Sequence, residues 1–599
     1  MNDKMNRRLF LTRTACGMGA VAFSSAATPL LYSSCVKQNT GGRKKLLATT
    51  DYTCNMGKCN CFFDRNQLDE MHKYLASIGV TRHQWIVDTY WNIYENYPNG
   101  MDLLKEVVDS AHKYGIELYA KIKPFEAGGF TEPLPHTMPV PEGLALKDMR
   151  GIYSVIIPFA AKNPHMSLKR RPGTFEKGGQ ITTIRLVKGD ESPTRVKKEH
   201  LSILTSDKNN GFVPYNGTIS FRESVEWRPC FPKSKQCRIL HLEGLKIPEN
   251  HKYLLIRCSL SGDKGDFTNE NGSIIELEDI NGKKIPYTLG AGPVEFREIS
   301  EDSVGFKIQR YYQLPEVQAV LSDKVKTMKH YQDFYSFNVH RKITEPYTLD
   351  SSGYIAVACG KPKYMAGILH PIYPEVRKHW LDLVRFCLDR DVDGINFRAS
   401  THTQSSEYWE YGFNEPVIKT TGGRTDRLAI NRINGDAYTK LLSEARDLIK
   451  DRGKSITIQL YAQMLLPDDR ETALNWIPPN FEWQWEKWVK EIADDLEFRG
   501  AWTLRSWNLR QVVDAFSAVT MAANKPLYLE GKMQELRDAG FNGPFYYTRD
   551  EIEMVKNHPG LHGFSLYETN HYTRMNENGS IEGSTGLADL FKNNYFKQE

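Results

Sequence analysis

Two glutamates stand out by position. Glu530 closes the apolar run 526–530, and Glu568 follows the apolar run 561–567. Two carboxyl groups set across one glycosidic bond can divide the work of hydrolysis, one staying protonated as the acid while the other is ionised. Each can equally pair with an arginine such as Arg398 or Arg505. His402 adds a side chain whose ordinary pKa of about 6.5 suits acid–base work or a hydrogen bond to a hydroxyl. Glu407, Glu410 and Glu415 are reserve carboxylates. A polar and aromatic set accompanies them: Asp88, Trp91, Lys121, Glu126, Arg398, Gln459, Tyr461, Arg505, Trp507 and Tyr567. Such side chains bind hydroxyls and acidic groups, and aromatic faces stack on sugar rings. Trp91, Trp409, Trp476 and Trp507 are candidate platforms, or else tryptophans packed under loops. The basic residues Lys121, Lys123, Arg398 and Arg505 suit an acidic sugar. No His, Asp and Glu grouping has metal-ligand spacing, and no GxSxG elbow supports a serine nucleophile. The expected partner is a carbohydrate, with no cofactor.

Repeated βα units must position these residues. Residues 46–51 form a short buried run. Leu68, Met71, Leu75 and Ile78 then recur at helical spacing up to Gly79. A second strand is expected over 84–90, then a helix through Leu103, Leu104, Val107, Val108 and Ala111, and a third strand over 116–122. The rhythm stops over 126–362, where short alternating runs dominate and Asn281-Gly282 signals a hairpin. This stretch reads as an inserted all-β domain of sandwich type. The rhythm resumes at Pro374, a residue suited to a first helical position. A helix over 436–450 and five more strands follow, at 393–399, 455–461, 500–505, 526–530 and 561–567. Three strands over 45–125 and five over 363–599 make a (β/α)8 barrel, with a doubly wound open sheet as the alternative. In such barrels the site lies at the C-terminal ends of the strands, where the residues above fall.

The bulk composition agrees with a large folded protein. The chain has 599 residues, 40% hydrophobic and 11% aromatic, which argues against global disorder. Its net charge of +5 comes from 78 basic and 73 acidic residues, and no basic block suggests nucleic acid. Residues 1–35 read as an export segment. Arg7-Arg8 precede Leu9-Phe10-Leu11, and a weakly apolar stretch broken by Pro29 follows. The pattern resembles the twin-arginine signal. Small residues before Cys35 suit lipidation of that cysteine, giving a membrane-held protein. Cleavage after Ala26 or Ala27 would release a periplasmic or secreted one. Cys230 and Cys237 are close enough for a disulfide, or are buried thiols.

Tyr373-Pro374-Glu375-Val376-Arg377, a helix, and Asp393-Gly394-Ile395 resemble the family-10-like glycosyl hydrolases. Tyr411-Gly412-Phe413-Asn414-Glu415 and Gly563-Phe564-Ser565-Leu566-Tyr567-Glu568 resemble a large-insert branch of that group. The resemblance implies a barrel that hydrolyses O-glycosyl bonds. Relatives carry an acidic residue where this chain has Arg398, which moves the catalytic expectation to Glu530 and Glu568. The same departure keeps open a barrel that binds carbohydrate without cleaving it. A lyase or isomerase on the same fold is a third option.

Overall fold

The computed structural model describes residues 44–51, 63–87, 100–130, 155–156, 159–160, 163–173, 179–188, 190–207, 213–228, 235–258, 275–289, 354–359, 363–400, 408–465, 477–499, 508–532, 540–543, 546–576 and 579–592. Eight strands close into a parallel barrel: Lys45–Asp51, Val80–Ile86, Glu117–Ile122, Gly394–Arg398, Ser455–Tyr461, Asp495–Arg499, Leu527–Lys532 and Gly563–Tyr567, here strands 1 to 8. Strand 8 pairs back on strand 1, from Gly563 opposite Lys45 to Tyr567 opposite Thr49. Closure leaves no barrel strand with an unpaired edge, and the open-sheet alternative is excluded.

Local rules place the helices. Asp64 caps helix Arg65–Ser77 by accepting from the Gln67 N–H, while the Gln67 side chain accepts from the Asp64 N–H. Leu68, Met71 and Leu75 on that helix are buried. Pro374 opens helix Pro374–Leu388, whose Val376, Trp380, Leu383, Val384 and Cys387 are buried. Helix Arg427–Asp451 starts well before the expected residue 436, because Asp426 caps it by accepting from the Ala429 N–H. Among the described residues, no helix is long and apolar enough to cross a membrane.

Two barrel strands lie off their expected positions. Strand 2 runs over Val80–Ile86 rather than 84–90, and strand 6 over Asp495–Arg499 rather than 500–505. The cause is a polar lumen. Buried parallel strands usually read as apolar runs, but here Arg82, Gln84, Asp495, Glu497 and Arg499 are all buried. Arg82 reaches across from strand 2 to strand 6 and donates to Asp495 Oδ2 at 2.8 Å. Its guanidinium also sits 3.9 Å from the centre of the Tyr119 ring. Leu496 and Phe498 belong to the main hydrophobic core. The charged alternation hid both strands from a search for apolar runs.

A hydrogen-bonded chain ties the outer helices to the barrel wall. Ser110 Oγ donates to Asp69 at 2.7 Å and lies 2.9 Å from His72 Nδ1. His72 Nε2 is 2.9 Å from His83 Nδ1, and His83 Nε2 is 2.7 Å from the Thr50 hydroxyl. Thr50 is 2.7 Å from the Thr569 hydroxyl, one residue beyond Glu568. Burial pushes His72 down to about 4 and His83 well below its ordinary value, so both rings are neutral at pH 7. With Ser110 donating to Asp69, each neutral ring must donate from Nδ1 and accept at Nε2. The chain fixes the turn that follows strand 8.

Between strands 3 and 4 the chain builds two antiparallel sheets. One comprises Ser220–Arg228, Lys235–Ile247, Ile181–Val187 and Ile275–Glu278. The other comprises Tyr287–Leu289, Tyr354–Cys359, Tyr253–Cys258, Leu201–Ser206 and Val213–Pro214. Both contribute to one core: Ile184, Leu186, Leu240 and Leu242 from the first, and Ile203, Leu254, Ile256 and Val357 from the second. This is the sandwich-like arrangement expected of the insert. At Asn281-Gly282 the chain reverses, with Gly282 at φ 72° and Lys284 bridging back to Glu278. Strand Ser167–Lys169 pairs with Tyr364–Leu369, so the outgoing and returning chains run side by side. Cys237 is buried; Cys230 lies outside the described residues.

Candidate active site

The lumen is built in layers of side chains from alternate strands, as barrel geometry requires. Strands 2, 4, 6 and 8 supply Gln84, Asn396, Glu497 and Ser565. Glu497 Oε1 accepts from Gln84 Nε2 at 2.8 Å, and its Oε2 accepts from Asn396 Nδ2 at 2.8 Å. Strands 3, 5 and 7 supply Lys121, Gln459 and Glu530 above them. Lys121 Nζ lies between the two carboxylates, 2.8 Å from Glu497 Oε2 and 2.6 Å from Glu530 Oε2. Gln459 Nε2 donates to the same two oxygens, at 3.2 Å and 2.8 Å.

The next layer upward holds Arg398, Arg499 and Tyr567, at the C-terminal ends of strands 4, 6 and 8. Arg499 Nη1 is 3.4 Å from Glu530 Oε1. Arg398 Nε donates to Tyr461 OH and Ser400 Oγ, both at 2.8 Å, and Tyr461 OH donates to Gln459 Oε1 at 3.1 Å. Both guanidiniums lie against the Tyr567 ring, at 4.9 Å for Arg398 and 4.3 Å for Arg499. Burial alone would raise the Glu530 carboxyl. Lys121 and Arg398 outweigh it and hold Glu530 below the ordinary carboxylate range, ionised at pH 7. Burial raises the Tyr461 hydroxyl to about 12, so it stays protonated as a donor.

Six expected residues thus meet in one place: Lys121, Arg398, Gln459, Tyr461, Glu530 and Tyr567. Glu568 follows directly on Tyr567, is buried, and accepts from Asn570 Nδ2 at 2.8 Å. Lys123 and Glu126 are buried in the turn after strand 3, where the Glu126 N–H donates to the Lys123 carbonyl. Asp88, Trp91, His402, Arg505, Trp507 and Cys35 lie outside the described residues, as do Glu407 and Trp476. The described strand 6 ends at Arg499, which takes the place expected of Arg505. Among the reserve carboxylates, Glu410 pairs with Arg171 and Glu415 with Lys169. Trp409 is covered by Arg427, whose guanidinium sits 4.3 Å from its ring centre.

Three site residues were missed from sequence. Glu497 and Arg499 belong to the misplaced strand 6, and the alternation Leu496-Glu497-Phe498-Arg499 was the signal available. The third lies behind the site, Glu551 on helix Tyr546–Asn557, whose buried Oε2 has no hydrogen-bond partner. A Cβ added at Gly531, next to Glu530, would lie 2.4 Å from that oxygen, so the two carboxyl groups flank the wall of strand 7. Burial first, then Asp550 and Glu530, push the Glu551 carboxyl up to about 8. Among the described residues, no group of three His, Cys, Asp or Glu side chains is arranged to hold a metal.

No protein-family model matches the chain, and no curated protein matches it. Solved structures overlap it loosely. The catalytic domain of beta-amylase from Paenibacillus polymyxa is 9% identical, with 92% of this chain and 99% of that chain covered and a TM-score of 0.38. The beta-galactosidase from Marinomonas ef1 is 8% identical over 91% of this chain and 58% of its own, with a TM-score of 0.34. The GH20 exo beta-N-acetylglucosaminidase from Vibrio harveyi is 7% identical over 82% of this chain and 41% of its own, with a TM-score of 0.28. Likenesses this loose carry no argument about what the chain does.

Proposed function

We propose that this chain is a glycoside hydrolase acting on a poly- or oligosaccharide at the C-terminal mouth of the barrel. One observation carries the reading. Buried polar atoms without hydrogen-bond partners gather at the ends of strands 4, 5, 7 and 8: Arg398 Nη1, both amide atoms of Gln463, Glu530 Oε1 and Asn570 Oδ1. Buried polar groups are ordinarily satisfied, and such a concentration suits a ligand rich in hydroxyls. Glu530, held ionised, takes the part of nucleophile or base, and Glu568 that of the acid. The N-terminal arginine pair supports export, with Cys35 either lipidated or, after cleavage behind Ala26 or Ala27, retained without a lipid.

Incubation with a polysaccharide panel, read by reducing ends, tests the assignment alongside Glu530→Gln and Glu568→Gln. Each substitution should lower turnover by at least about a hundredfold. Full activity in both variants would remove the two-carboxylate scheme. The occupation of Glu530 Oε2 by both Lys121 and Gln459 favours a second reading, a barrel that binds glycan without cleaving it. Calorimetric glycan binding with no turnover across the panel would select that reading.

A further inference from the structure

Within the lumen network itself the cations outnumber the carboxylates, with Glu126 and Glu568 buried in the turns beyond strands 3 and 8. Lys121, Arg398 and Arg499 face two carboxylates, Glu497 and Glu530. Lys121 bridges both carboxylates, and Arg499 stands beside Glu530. Arg398 forms no ion pair among the described residues. It is only 1% exposed, its hydrogen-bond acceptors are the neutral hydroxyls of Ser400, Tyr461 and Tyr567, and Glu530, which it helps to keep ionised, is shared with Lys121 and Arg499. Its Nη1 is buried without a partner. Tyr567 covers one side of the guanidinium with an aromatic ring, which attracts a cation but does not neutralise it. Buried charges in proteins are generally paired, because a lone one loses its hydration without recovering Coulomb energy. A planar guanidinium with a spare N–H is matched to an oxyanion, which it holds by charge-assisted hydrogen bonds.

We propose that Arg398 is the anchor of an anion subsite, so that the glycan bound at this mouth carries an oxyanion on a sugar unit, as a uronate carboxylate or a sulfate ester. The position fits the chemistry. Arg398 closes strand 4 beside Tyr461, and Tyr461 donates to the Gln459 that holds Glu530. Three hydrogen bonds in series would therefore link the arginine that holds the anionic group to the ionised carboxylate, and Arg499 would screen one charge from the other. The inference rests on the mouth being a glycan site, and it does not require that the glycan be cleaved.

Calorimetric titration of the full chain tests it. The ligands are trisaccharides of galacturonate, glucuronate and guluronate, each beside its carboxyl-methylated neutral form, and a sulfated galactotriose beside the unsulfated one. At least one charged ligand should bind roughly 10- to 100-fold more tightly than its neutral counterpart, the span expected for a hydrogen bond between charged groups. That ratio should fall to about one in Arg398→Met, and part of it should survive in Arg398→Lys, which keeps charge but loses the fork. The uronate and sulfate arms identify which anion is taken. Thermal melts of both variants establish that they fold, and the Lys variant decides if the Met variant does not. Equal binding of charged and neutral forms, no charge-dependent binding anywhere in the panel, or a preference that persists without Arg398 would overturn the proposal. Loss of turnover alone would bear on hydrolysis, whereas cleavage of neutral glycans only would sink the anion subsite and leave hydrolysis standing.

Discussion

Replacing Glu551 by Gln should alter stability in a way that depends on pH. The Glu551 carboxyl sits near 8 in the folded protein against an ordinary 4.5. Below pH 4.5 both folded and unfolded chains carry the proton, so the group contributes nothing. Between 4.5 and 8 the unfolded chain releases its proton while the folded protein keeps it, so stability falls as pH rises, by about 1.4 kcal/mol per unit. The accumulated cost is about 3 kcal/mol at pH 7 and about 4 kcal/mol at pH 8, and it levels off near about 5 kcal/mol above that. An amide cannot ionise, so Glu551→Gln abolishes this dependence. Any misfit of the amide against Gly531 adds a constant offset that leaves the slope unchanged. Guanidinium unfolding of parent and variant, followed by tryptophan fluorescence at pH 5, 6, 7 and 8, gives the difference directly. It should shift in favour of the variant by about 4 kcal/mol across that range. A difference that stays flat from pH 5 to 8 would show that Glu551 is ionised in the folded protein and would refute the reasoning.

Lys121→Met should leave Glu497 and Glu530 without the cation they share, destabilising the protein by about 3–5 kcal/mol at pH 7. The loss should shrink as pH falls, because Lys121 is what holds the Glu530 carboxyl low and without it Glu530 can take up a proton; a deficit unchanged between melts at pH 5 and pH 7 would contradict the assignment. Exchange of Arg7 and Arg8 for lysines should retain the protein in the cytoplasm on cell fractionation, and unchanged export would rule out the twin-arginine reading.

The barrel was legible because its outward faces obey the apolar rules. Leu68, Met71 and Leu75, or Val376, Trp380, Leu383 and Cys387, announce helices whose apolar sides cover the strands. The lumen obeys a different rule. Strand 6 alternates Leu496 and Phe498 outward with Glu497 and Arg499 inward, and a search for apolar continuity passed over it to residues 500–505. Strand 2 slipped for the same reason at Arg82 and Gln84, with the outward His83 between them adding a further polar residue. The residues meeting at Glu530 were found because they end strands that were correctly placed. Glu497 was missed because its partners lie on strands 2, 3, 4 and 5, and no local pattern announces a contact across a barrel. Glu551 was hidden by an ordinary helix surface pattern that does not show which carboxylate the fold turns inward.

The insert has a consequence for how the chain is made. Strand 3 ends at Ile122, and the strand that pairs with it begins at Gly394. At roughly 5–20 residues per second, the about 270 residues between them take on the order of 15 to 55 seconds to synthesise. For that time strands 1 to 3 are a half-made sheet with an open edge and an uncovered inner face. An apolar lumen would expose a sticky surface at that stage. Here the inner face presents Arg82, Gln84 and Lys121, and charged side chains on an exposed sheet discourage pairing with other chains. The polar lumen thereby disfavours association of the three-stranded sheet until Glu497 and Glu530, the carboxylates that neutralise Lys121, leave the ribosome.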